Sequence, residues 1–126
     1  MMIDSKLIAE YIGIDDRKES ERLAHIATLR SFPKGSHILR TGQKQSEAYI
    51  MVEGVVRCYS LTSGGGELTS CIIWYPGEPA APCADFSVPS PANMEALVDS
   101  TLISFEVEPL LNMMESSAAV NAALFS

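Results

Sequence analysis

With 126 residues, 47% of them apolar and 20% charged, the chain can build one core of ordinary domain size, which excludes a disordered tail or a collagen-like rod. Nine basic against sixteen acidic residues give a formal net charge of −7, and every Lys and Arg lies at or before Arg57. More than half of the chain therefore lacks the cations that neutralise nucleic-acid phosphates.

The first thirty residues read as a helical lead-in. Leu7, Ile8, Tyr11 and Ile12 share one helical face, and Gly13 is placed to stop it. Asp15 and Asp16 offer an N-cap to a second helix, with Glu19 in capping-box position. Leu23, Ile26 and Ala27 continue an apolar stripe towards Arg30, and His25 beside it reads as a surface or capping residue.

From Phe32-Pro33-Lys34-Gly35 to about residue 107 the texture is β. Short runs recur at Ser36–Arg40, Ala48–Val52, Val55–Leu61, Leu68–Tyr75, Met94–Val98 and Leu102–Val107. Turn signals separate them: Thr41-Gly42, Glu53-Gly54, Gly64-Gly65-Gly66, Pro76-Gly77 and Asp99-Ser100. In the last run Ile103, Phe105 and Val107 alternate with Ser104 and Glu106. Many short strands at this spacing predict an antiparallel sandwich or roll. The stretch from Pro76 to Pro91 holds five of the seven prolines and is too irregular for one strand.

After Glu108, Pro109 suits the first helical position, and Leu110, Met113 and Met114 form a core stripe. Ser116-Ser117 breaks that helix, and Ala118–Phe125 reads as the opening turns of another. No apolar run nears the ~18 residues of a membrane span, and the N-terminus lacks a signal-peptide pattern. Cys58, Cys71 and Cys83 are an odd number without C-x-x-C, which fits reduced thiols in the cytoplasm.

The order of these signals resembles the cyclic-nucleotide-binding β-roll. It is most similar to the sensor half of Crp/Fnr-type transcription regulators. The resemblance rests on Phe32-Pro33-Lys34-Gly35, Thr41-Gly42, the run Ala48–Val56, a Gly-rich hairpin, Pro76-Gly77-Glu78, and Met94–Leu102. It covers roughly residues 20–115 and implies a mainly β, eight-stranded jelly-roll flanked by short N- and C-terminal helices. The division is then one domain over 1–126: lead-in 1–30, β-roll 31–107, and 108–126 as a helix plus the start of a dimerisation helix.

In such proteins a short helix after Gly-Glu cradles a cyclic phosphate. The Glu contacts a ribose hydroxyl, and an Arg followed by a small hydroxyl residue neutralises the phosphate. Gly77 and Glu78 match the Gly-Glu. The Arg pair is expected near Ala92-Asn93, and neither residue is basic. The resemblance therefore implies a ligand pocket around Gly77, Glu78, Pro79, Ala80, Ala81, Cys83, Ala92 and Asn93 that does not bind cAMP or cGMP. Two readings of it stand: a site for a neutral or cationic effector, or a pocket filled by its own side chains.

Other chemistry finds less support. A cupin metal site needs converging histidines and a carboxylate, and His25 and His37 stand apart. Three cysteines fall short of an iron–sulfur ligand set. Cys83, in the proline-rich segment, is the candidate redox thiol, while Cys58, Cys71, Trp74 and Tyr75 read as core. No Ser-His-Asp order or Gly-x-Ser-x-Gly elbow is present.

The expected function is non-enzymatic effector sensing in a regulator of transcription, with no cofactor and no membrane partner. By resemblance, a helix after residue 116 pairs two subunits. DNA is reached only through a C-terminal helix-turn-helix domain, which this sequence does not contain, as expected of a fragment of a longer protein. The alternative is a stand-alone roll acting through protein contacts.

Overall fold

The computed structural model describes residues 5–14, 16–83 and 85–118. Two helices lead in, α1 (Ser5–Ile12) and α2 (Arg17–His25), and eight strands follow: β1 (Ala27–Phe32), β2 (His37–Leu39), β3 (Glu47–Glu53), β4 (Val56–Leu61), β5 (Glu67–Ile73), β6 (Pro79–Ala80), β7 (Asn93–Ala96) and β8 (Ser100–Glu106). Helix α3 (Val107–Ser116) closes the described chain. All pairings are antiparallel, in two four-stranded sheets of order β1-β8-β3-β6 and β2-β7-β4-β5. The predicted jelly-roll with flanking helices is the observed fold.

Two apolar layers follow from the period-two alternation of the strands. Tyr49 and Met51 on β3, Leu102 on β8, and Val56, Cys58 and Met94 from the other sheet fill the space between the sheets. The intervening residues Ala48, Ile50, Ile103 and Phe105 face outward, where Ile8, Leu23 and Leu110 of the three helices cover them. The first sheet is thus buried on both faces. Among the described residues no helix is long and apolar enough to cross a membrane.

Several local expectations change. The second helix ends at His25 and β1 begins at Ala27, so the roll opens about four residues earlier than predicted. Ile26 and Ala27 fit a helical stripe, but Ala27–Phe32 pairs along its length with β8. Asp16 caps α2, accepting from the Lys18 and Glu19 amides, but Glu19 does not complete the capping box. Its Oε1 accepts from Arg22 at 2.9 Å, and its Oε2 is buried with no partner among the described residues. Helix α3 starts at Val107, which puts Pro109 third rather than first. It still lies in the turn whose amides have no intrahelical acceptor.

The edge strand β5 departs most. Trp74 and Tyr75 were expected in the core, yet they are exposed to 61% and 63%, and Leu68 and Ile72 are exposed as well. Cys71, likewise expected inside, is exposed, whereas Cys58 is buried. β5 lies at the edge of its sheet, and of its residues only Ile73 reaches the core.

Candidate functional site

The segment from Pro76 to Asn93, which includes β6 and leads into β7, is a strap tied down near both ends by backbone groups. At its start the Gly77 amide donates to the Met51 carbonyl at 2.7 Å, and the Met51 amide donates to the Glu78 carbonyl at 2.9 Å. At its end the Gly42 amide donates to the Ser90 carbonyl and the Ser90 amide to the Gln43 carbonyl, at 2.8 and 2.9 Å. Between the ties, Gln45 is only 3% exposed. Its side-chain amide donates to the Asp85 and Val88 carbonyls at 3.1 and 3.0 Å and lies 3.7 Å from Cys83 Sγ. A buried amide with two strong acceptors fixes the middle of the strap.

The candidate residues distribute along this strap without converging on one point. Gly77 adopts φ +89°, and the Glu78 carboxylate turns back to accept from the Tyr75 amide at 3.4 Å. Pro79 and Ala80 pair with Ile50 and Tyr49 of β3. Pro79 is exposed, while Ala80 is fully buried in the inter-sheet core. Ala81 and Cys83 are half-buried. At the far end Ala92 and Asn93 are buried. The Ala92 carbonyl accepts from the Ser90 hydroxyl, and Asn93 Oδ1 accepts from the Thr41 amide at 2.9 Å.

The helix expected after Gly-Glu is absent among the described residues of the strap, which form a turn at Phe86–Ser87 instead. Asp85 accepts from the amide and hydroxyl of Ser87, which hold its carboxyl below the usual carboxylate range. The Ser87 amide, a donor that an anion could use, is thereby occupied internally, and the described residues of the strap present no helix N-terminus.

Beside the strap lies an open groove of about 720 Å³, walled by Phe86, Val88 and Pro89, by the loop from Gly42 to Ser46, and by the β8–α3 junction. Of its charged lining residues, Lys44 is basic and Glu106 and Glu108 are acidic. Sequence reasoning missed both Gln45 and Lys44, because neither stands in a local motif and their strap neighbours lie about forty residues away.

Two cations of the strands are paired with carboxylates. Arg57 donates to Glu95 Oε1 and Glu67 Oε1, each at 2.8 Å, and stacks over the Tyr59 ring at 3.9 Å. Arg30 donates to Glu47 Oε2 at 2.7 Å, and the Ser104 hydroxyl donates to the same oxygen. Burial pushes the Glu47 carboxyl up, but the Ser104 hydroxyl and the Arg30 guanidinium outweigh it, and the net effect is to lower it from the usual glutamate value. A carboxylate lowered in this way stabilises the fold above its unfolded pKa and loses that contribution as pH falls through its folded value. Urea midpoints are therefore expected to fall on acidification below about pH 4.5, and Glu47→Gln to flatten that fall. An unchanged acid limb in the variant would contradict the assignment.

His37 Nε2 and the Tyr59 hydroxyl are 2.6 Å apart, and His25 is exposed at the end of α2. Among the described residues no group of three or more His, Cys, Asp or Glu is placed to hold a metal ion.

Residues 29–117 match the family model described as the cyclic nucleotide-binding domain. No curated protein sequence matches the chain. Among solved structures, the N-terminal domain of a transcriptional regulator from Streptomyces coelicolor A3(2) superposes with TM-score 0.71 at 19% identity, covering 96% of this chain and 85% of that one. The sensor domain of the transcriptional regulator DNR from Pseudomonas aeruginosa gives TM-score 0.78 at 19% identity, with 94% and 81% covered. A cyclic nucleotide-binding domain from Methylobacillus flagellatus KT gives 0.75 at 13% identity, with 94% and 70% covered.

Proposed function

The chain belongs to the cyclic nucleotide-binding domain family, and on that premise we propose that it is the effector-sensing domain of a Crp/Fnr-type transcription regulator whose effector is not cAMP or cGMP. The observation that carries this reading is the charge of the strap. From Pro76 to Asn93 it contains Glu78 and Asp85 and no basic residue. Arg30 and Arg57 are committed to carboxylates, and the groove's Lys44 is outnumbered by Glu106 and Glu108.

Charge-assisted bonds from a guanidinium are worth about 1.5–3 kcal/mol each. Losing two of them removes roughly two to four decades of affinity at about 1.4 kcal/mol per decade. The effector this site suits is neutral or cationic and small, held by the apolar wall of Phe86, Val88 and Pro89. Sensing without catalysis, pairing of two subunits through the helix after residue 116, and contact with DNA through a further domain complete the proposal.

Calorimetric titration with cAMP and with cGMP is expected to give no saturable heat at millimolar ligand. A micromolar Kd for either nucleotide would refute the reading. Native mass spectrometry of freshly purified protein is the complementary measurement, and a retained nucleotide there would have the same force.

A further inference from the structure

Cys58 on β4 and Cys71 on β5 are directly opposite one another in the antiparallel register, and we propose that they form a reversible redox couple, closing to an intramolecular disulfide when the protein meets a small disulfide such as oxidised glutathione. Side chains of directly opposed residues share a face of the sheet, with Cβ atoms about 4.5–5.5 Å apart. A disulfide needs about 3.5–4.5 Å, so the required movement is small.

Three features make that movement accessible. First, β5 is an edge strand, with β4 as its one sheet neighbour among the described residues, so it can shift without breaking a second ladder. Second, the register slips between Cys58 and Tyr59, leaving Ser70 as the extra residue beside Cys71. Bulges bend the strand that carries them and loosen its pairing locally. Third, the Ser70 hydroxyl already donates to the Cys58 carbonyl at 3.2 Å, which keeps the two strands together across the slip.

Exposure assigns the order of events. Cys71 is exposed and Cys58 is 1% exposed, so only Cys71 can meet an incoming reagent. Its thiolate attacks one sulfur of the small disulfide, forming a mixed disulfide and expelling one small thiolate. Cys58 then loses its proton and attacks Cys71 Sγ, forming the protein disulfide and expelling the second small thiolate. Two protein thiols are oxidised, and one small disulfide is reduced to two thiols. Burial, reinforced by the nearby Cys71 charge, pushes the Cys58 thiol up to about 11. That keeps Cys58 the poorer first nucleophile, so Cys71 reacts first and Cys58 resolves the mixed disulfide. Cys83, the thiol singled out from the sequence, sits instead on the strap beside Gln45 and the Asp85 carbonyl.

The test is incubation of the full chain with oxidised glutathione under native conditions, followed by mass spectrometry of unreduced peptides. The expected product is monomeric, two hydrogens lighter, linked Cys58 to Cys71, and restored by dithiothreitol. Cys83→Ser should give the same bridge. Cys58→Ala should accumulate glutathione on Cys71, and Cys71→Ser should leave Cys58 unmodified. Because Cys58 is in the core, its variant is paired with Cys71→Ser, which alters an exposed side chain. The proposal falls if the treated wild type keeps both thiols free, stops at glutathione on Cys71, or joins Cys71 to Cys83 or to a second chain.

Discussion

Phe105→Ala is expected to destabilise the domain by about 3–5 kcal/mol, the range for deleting a buried aromatic ring and leaving the space partly unfilled. Phe105 is fully buried on the central strand β8. Its register partners are Ala27 on β1 and Ala48 on β3, so the ring spreads over two small neighbours while the helices cover it. Truncation would set three alanines in a row under α1, α2 and α3. Phe105→Leu, which keeps most of the volume, should lose much less. Urea unfolding with unchanged m-values is the measurement. Equal midpoints for the alanine variant and the wild type would show that the helices do not depend on this contact.

Gly77→Ala is expected to cost about 2–6 kcal/mol, from two independent causes. Its φ of +89° is a conformation that side chains rarely adopt, worth about 1–3 kcal/mol. A Cβ there would also lie 2.6 Å from the Tyr11 carbonyl oxygen at the end of α1, and overpacking of this kind adds about 1–3 kcal/mol. Neither side can give way cheaply: Tyr11 presents backbone, and Gly77 is held by its own bond to Met51. Gly64→Ala is the matched control, because its Cβ would meet nothing within 4 Å and its φ is ordinary. A thermal midpoint for Gly77→Ala within a degree of that control would overturn the argument.

Much of the fold was legible because strands and turns announce themselves locally. The six predicted runs all correspond to observed strands, since alternation and Gly-containing turns are short-range properties. What was not legible depends on partners far along the chain. Ile26 and Ala27 satisfy helical spacing as well as strand spacing, and the ladder with residues 100–105 decides between them. The two-residue β6 exists only because β3 offers it an edge.

Trp74 and Tyr75 read as core from their residue type, and they are exposed beside a strand at the edge of its sheet. At the site, Gly77-Glu78 was recognisable as a turn, whereas Gln45 is an ordinary loop glutamine until its bonds to residues 85 and 88 are seen. The cysteines show the same limit. Their spacings of 13 and 12 carry no signal, and only strand register brings two of them face to face.

The fastening of the strap has a consequence for how such a domain diversifies. All four ties at its ends run between main-chain amides and carbonyls, groups that substitution leaves in place unless proline removes a donor. The lining between them can drift from one recognition chemistry to another while the scaffold that presents it stays the same, and a lineage can exchange its chemical signal without rebuilding its receiver.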